Sequence, residues 1–210
     1  MKKYFAKERL HYFRRTLTNP IDSFYEIRHR ERGSVPIALI CVAMFGVVFT
    51  MNRIFAGFIV NYVNPRTVNG LAEIGSVFLL FMLFCVGNWS VTCLMDGEGR
   101  LKDIITVTGY SLTPLIAVYI PATLLSHVVA AGEEAFYYVV IGVGIAWTAV
   151  LILMGIMTVH NYTMLKTLVT LVLTFFAMFV MIFLVLLISD LINQVYVFLY
   201  SIYTELIFRY

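Results

Sequence analysis

Long apolar runs, separated by short polar turns, dominate the pattern of this chain. The run from Leu168 to Ile188 contains no charged residue. A helix that crosses a bilayer needs about 20 mostly apolar residues, and five runs reach that length. The predicted spans lie at about 36–59, 72–94, 109–129, 136–159 and 167–189. Strands of a membrane barrel would instead alternate apolar and polar residues. The pattern therefore predicts an all-α membrane protein with five transmembrane helices.

Composition supports the same class. Of the 210 residues, 61% are hydrophobic and 13% are charged, and the mean hydropathy is +0.89. Soluble domains carry about 25% charged residues, so the balance excludes a water-soluble globule. The three cysteines lie in or beside apolar runs, where they indicate small buried side chains rather than disulfides or metal ligands.

Both ends of the chain differ from the five spans. Residues 1–35 mix nine Lys and Arg with aromatic residues at helical spacing, which predicts cytoplasmic amphipathic helices on the membrane surface that bind anionic lipids. Asn19 and Pro20 fit the start of a short helix that reaches about Arg32. The aromatic and apolar content argues against a nucleic-acid-binding arm. Residues 190–210 predict an extracytoplasmic interfacial helix, with one polar stripe: Asp190, Asn193, Gln194, Ser201, Thr204 and Glu205.

The distribution of Lys and Arg predicts the orientation. Twelve of the 15 lie in the head and in the turns after spans 2 and 4; the other three are Arg53, Arg66 and Arg209. Positively charged residues concentrate on the cytoplasmic side. We therefore expect a plasma-membrane protein with its N-terminus in the cytoplasm and its C-terminus outside.

The stretch from Trp89 to Pro121 contains the most distinctive residues. A charged turn with two glycines, from Asp96 to Arg100, precedes a span that carries Pro114 and Pro121. Prolines free backbone groups that neighbouring helices must satisfy in lipid, so the third span is predicted to pack inside the bundle. An interfacial segment, at about 101–108, is expected to join the turn to that span.

Together with the five-span layout, these residues resemble the bacterial branch of the Yip1 family. The matching residues are Asn19 and Pro20, Trp89, Gly97, Gly99, Tyr110 and Ser111, Pro114, Pro121, His160 and Tyr162. The resemblance implies a small membrane scaffold. Eukaryotic members engage Rab GTPases, and bacterial members occur beside ABC transporter components. It therefore implies an accessory subunit that binds other integral membrane proteins, with an ABC transporter permease as the leading partner.

No catalytic, metal or cofactor motif accompanies the stretch from Trp89 to Pro121, so the chain is expected not to be an enzyme. The head and the charged turn are predicted to form one partner-contact surface, and the outer tail helix, residues 190–210, a second one. Its candidate residues are Trp89, Gly97, Gly99, Arg100, Tyr110, Pro114 and Tyr162.

Two ionisable residues inside spans are further candidates for function. Arg53 can extend to the interface or pair with Glu73 or Glu134, and His127 is expected to be hydrogen-bonded or interfacial. Two alternative functions stay open. In-span prolines and asparagines fit a small transporter or channel, and the amphipathic ends fit a lipid- or curvature-sensing organiser.

Overall fold

The computed structural model describes residue 16, residues 19–30 and residues 33–208, and every regular element in that part is helical. The α-helices are α1 (Pro20–His29), α2 (Val35–Phe55), α3 (Gly70–Leu94), α4 (Leu101–Ser111), α5 (Thr113–Leu125), α6 (Glu134–His160) and α7 (Met164–Phe208). A 3-10 turn, Pro65–Thr67, lies between α2 and α3. Of the basic head predicted to bind lipid, residues 1–35, residues 1–15, 17–18 and 31–32 fall outside the described residues.

Five helical segments are long and apolar enough to cross a membrane, which confirms the predicted five-span, all-α membrane fold. They are α2, α3, the α4–α5 pair, α6 and α7. Helix α4 forms one long apolar segment with α5, Leu101–Leu125, and packs inside the bundle, where the sequence predicted a separate interfacial segment before the third span. Its residues Ile104, Val107 and Tyr110 recur at helical spacing and are all buried against α2 and α6. The break after Ser111 precedes Pro114, whose ring disfavours helical backbone before it.

The third span forms the centre of the bundle, as the prolines predicted. In its most apolar window 56% of the residues are buried, compared with 11–39% in the other four spans. Pro114 is buried, whereas Pro121 lies on the exposed side of α5. The core therefore forms around α4 and the start of α5.

Helix α1 contributes to this core. Asn19 is its N-cap residue but makes no side-chain capping bond, and Pro20 occupies the first turn, where its missing N–H costs nothing. Phe24 and Ile27 are fully buried, and Phe24 lies against Gly155 of α6. The apolar face of α1 thus meets protein, where the sequence had suggested membrane surface.

Helix α7 is one unbroken helix of 45 residues. The sequence predicted a separate helix from residue 190, yet the helix of the fifth span continues to Phe208. The segment contains no glycine or proline that would interrupt it. At 1.5 Å per residue α7 is about 67 Å long, whereas the bilayer core is about 30 Å thick.

Helix α6 offers a test of this packing at two of its glycines. A Cβ at Gly155 would lie 2.1 Å from Val107 Cγ1, whereas a Cβ at Gly142 would meet nothing within 4 Å. Overpacking a core costs about 1–3 kcal/mol. Gly155→Ala is therefore expected to lower the unfolding temperature of the purified protein in detergent, and Gly142→Ala to leave it unchanged or raise it. Equal unfolding temperatures for the two variants would contradict the packing of α4 against α6.

Candidate docking site at the joined turns

Two turns that are distant in sequence meet at one end of the bundle. The turn after α3, residues 95–100, contacts the turn after α6, residues 161–163, and α1 packs beside them. We call this set the turn cluster. It consists of Arg28, Met95, Asp96, Gly97, Glu98, Gly99, Arg100, Asp103, His160, Asn161, Tyr162 and Lys166.

The two glycines allow the turns to approach so closely. A Cβ at Gly97 would lie 2.6 Å from His160 Nδ1 and 2.8 Å from Tyr162 Oη. A Cβ at Gly99 would lie 2.5 Å from Val159 Cγ1 and 2.6 Å from His160 Cε1. Real side chains do not reach such distances, so only glycine fits. The Gly99 N–H donates a hydrogen bond to His160 Nδ1 at 3.1 Å.

Tyr162 ties the start of α7 to the end of α3. Its hydroxyl donates to the carbonyl oxygen of Met95 at 2.9 Å, and its ring stacks on His160 with centroids 5.3 Å apart. Lys166 Nζ lies 4.3 Å from the ring centroid, within the range of a cation–π contact. Burial raises the pKa of the Tyr162 phenol, and Asp96 adds to the effect. The phenol therefore stays protonated and keeps its role as a donor.

Charged groups join α1 and α4 to the same turn. Arg28 Nη2 donates to the carbonyl oxygen of Glu98 at 2.5 Å, and Arg28 Nη1 lies 3.9 Å from Asp103 Oδ2. Arg100 Nε donates to the same Asp103 oxygen at 2.9 Å. Asp103 is only 4% exposed, and a buried carboxylate needs such partners. Asn161, in the left-handed conformation at φ 53°, completes the contact by donating to Glu98 Oε2 at 3.0 Å.

The predicted partner-contact residues divide into three groups. Gly97, Gly99 and Tyr162 come together in the turn cluster, and Arg100 lies at its exposed edge. Trp89 is 41% exposed on the outer side of α3.

Tyr110 and Pro114 require a correction, since both are buried. Tyr110 is 1% exposed and its hydroxyl accepts a hydrogen bond from the Ser34 N–H at 3.2 Å. Pro114 is buried at the start of α5. Neither side chain is accessible to a partner, so both hold the core together instead.

His160 was identified only as a residue that matches the family, and sequence reasoning missed the part played by Arg28 and Asp103. Arg100 and Asp103 are three residues apart at a helix start, a spacing that favours an ion pair. The sequence alone could therefore have indicated the Arg100–Asp103 ion pair, whereas the pairing of Arg28 with Asp103 depends on how α1 docks. Among the described residues, no group of three or more His, Cys, Asp or Glu side chains is placed to hold a metal ion.

The two in-span candidates lie at the opposite end of the bundle. Arg53 Nη1 lies 3.3 Å from Glu73 Oε1, so the pairing with Glu73 is the one that forms. The guanidinium also lies 5.9 Å from the centroid of the Phe49 ring. His127 is exposed and borders an apolar cavity of about 280 Å³ between α2 and α5, which Thr123 also lines.

The Yip1 domain profile matches residues 14–187. The chain belongs to the Yip1 family. No curated protein and no solved structure matches the chain. Every residue of the turn cluster lies inside the part that matches the Yip1 domain. Helix α7 continues beyond the match, from Ile188 to Phe208.

Because the two turns of the cluster are in close contact in this Yip1 chain, one methyl group added at Gly99 is expected to open the turn selectively. Gly99→Ala should force the turn away from His160, because the added Cβ would overlap Val159 and His160. The exposed tryptic sites after Arg100 and Lys102 should then be cleaved several times faster, since proteolysis follows local opening.

Gly75→Ala is the matched control for that experiment. A Cβ at Gly75 would meet nothing within 4 Å. Cleavage of the purified protein in detergent is followed by mass spectrometry of the fragments. Identical rates in the two variants would show that the turns are not joined as described.

Proposed function

We propose that this Yip1-family chain is a non-enzymatic scaffold that binds another integral membrane protein along α7. The proposal rests on one observation: the chain's own bundle covers only a small part of α7. Its buried side chains are Thr167, Thr170, Thr174 and Met178, all within its first third, and the helices that it mainly contacts are α3 and α6. Most of its other side chains are apolar or aromatic and exposed.

The turn cluster supports a structural role rather than a reactive one. Its polar groups hold backbone and each other: His160 accepts from Gly99, Tyr162 donates to Met95, and Asp103 pairs with Arg100. This arrangement fixes the base of α7 next to α3. A rigid base gives a scaffold a defined direction in which to present its contact helix.

An ABC transporter permease is the partner we favour, and a bacterial plasma membrane is the location. The bacterial Yip1 resemblance suggests both. The concentration of Lys and Arg on the side of the turn cluster favours a cytoplasmic position for that end and an extracytoplasmic position for the C-terminus.

Co-purification tests the scaffold. The tagged full chain is purified from native membranes in mild detergent, and its partners are identified and quantified. The double variant Phe179→Ala/Phe183→Ala removes two exposed aromatic side chains of α7. Because aromatic anchors dominate interface energies, we expect loss of an identified integral membrane partner by about tenfold or more.

The control changes exposed apolar side chains on another helix. Val139→Ala/Val143→Ala alters two residues of α6 that are exposed to a similar degree, and the partner should be retained. A wild-type chain that purifies alone as a monomer would refute the scaffold. Equal loss from both double variants would refute the assignment to α7.

Cysteine labelling tests the orientation. With the native cysteines replaced, Glu98→Cys marks the turn cluster and Thr67→Cys marks the 3-10 turn at the other end; both positions are exposed. In intact cells a membrane-impermeant maleimide should label Thr67→Cys and spare Glu98→Cys. The reverse pattern would place the turn cluster outside the cell.

A further inference from the structure

The last part of α7 projects beyond the bundle. We call residues 188–208 the projecting segment; apart from Thr204, which is partly covered, every side chain in it is exposed. Helix α7 has 45 residues and its neighbour α3 has 25, an excess of 20 residues or about 30 Å of helix. The Yip1 match ends before this segment begins.

The projecting segment stays collinear with the fifth span. Sharp kinks arise at proline, at glycine and serine pairs or at helical bulges, and residues 164–208 contain neither proline nor glycine. Ser189 Oγ donates to the Val185 carbonyl oxygen at 2.8 Å, within an uninterrupted helix. An unbroken helix has no turn at which these residues could fold down onto the membrane surface, so they extend along the direction of the fifth span.

Six polar side chains of the segment lie on one face. At 100° per residue, Asp190, Asn193, Gln194, Ser201, Thr204 and Glu205 occupy a stripe about 120° wide. The stripe is centred roughly 160° around the helix from the threonine face that packs on α3. It therefore points away from the chain's own bundle.

The charge of the stripe favours a basic neighbour. Between Thr167 and Phe208 the charged residues are Asp190 and Glu205, and both are acidic; Arg209 lies outside the described residues. A second copy in the same membrane would run parallel and place Asp190 opposite Asp190. Like charges face each other unfavourably in such a pair. A helix with lysine or arginine would pair with both carboxylates and let the amides and hydroxyls share hydrogen bonds.

We propose that the projecting segment binds, through its polar stripe, a helix of a second integral membrane protein that carries lysine or arginine side chains. This inference rests on the proposed function, since it specifies the chemistry of the partner. The exposed apolar residues beside the stripe, such as Leu191 and Phe198, would pack on the same partner helix, and their apolar surface would be buried from water.

Photo-crosslinking in native membranes tests the inference. A benzoylphenylalanine is placed in the full chain at Ser201, in the stripe, and in a second chain at Leu199, roughly 160° away around the helix. After irradiation, the crosslinked peptides are identified by mass spectrometry. We expect crosslinks from position 201 to a membrane-protein peptide that contains Lys or Arg, and a much lower yield from position 199.

The isosteric double variant D190N/E205Q removes both charges and keeps the shape of the side chains. Both residues are exposed, so the unfolding temperature of the chain should not change. We expect the crosslink from position 201 to fall about tenfold, because charge-assisted hydrogen bonds are lost. Reversing the charges should restore the crosslink: D190K in this chain is combined with an acidic residue in place of the partner's crosslinked Lys or Arg.

Several results would overturn the inference. One is a crosslink to lipid or to a second copy of this chain. Another is a partner peptide that contains neither Lys nor Arg. A third is a crosslink yield from position 201 that D190N/E205Q does not change. If a partner still co-purifies with the wild-type chain and is lost in Phe179→Ala/Phe183→Ala, the scaffold function stands and only the basic-helix inference fails. If no protein partner co-purifies at all, the proposed function has failed first.

Discussion

The contact of Gly97 and Gly99 with His160 and Tyr162 sets the position of α7, and the rest of the structure depends on it. Without a side chain at either glycine, the turn after α3 reaches the turn after α6 within hydrogen-bonding distance. Tyr162 then joins the first residues of α7 to the Met95 carbonyl oxygen at the end of α3. The register of the α3–α7 pair follows from that join.

Above the turn cluster, α3 and α7 are held by polar contacts suited to a membrane interior. Asn88 Nδ2 donates to Thr174 Oγ1 at 3.1 Å, and Thr170 Oγ1 lies 3.5 Å from Met95 Sδ. Small and polar residues of this kind let helices approach in lipid, where the hydrophobic effect adds little between helices. The last buried side chain of α7 is Met178; Met181 still lies against Gly87 of α3, and every side chain from 182 to 203 is exposed. The fixed start of α7 and the exposed surface along the rest of that helix are the features that favour a scaffold.

The sequence was sufficient for the membrane class, the five spans and the family, because apolar run length and turn residues are local properties. It also identified Gly97, Gly99 and Tyr162, since residues at turns carry distinct signals. Tyr110 could not be placed, because an aromatic residue near a span end reads equally well as an interfacial anchor or as a core residue. Only the docking of α4 between α2 and α6 decides that it is buried. Arg28 and Asp103 likewise meet only after α1 has packed, so their pairing is a property of tertiary structure.

The unbroken course of α7 is the claim on which the account depends most. Double electron–electron resonance between spin labels at Leu168 and Ser201 measures it directly, in the full chain reconstituted in lipid. The separation of 33 positions predicts one narrow distance of about 50 Å for a continuous helix. A distance well below 40 Å, or a broad distribution of distances, would mean that the helix breaks and the projecting segment folds back, which would contradict the account.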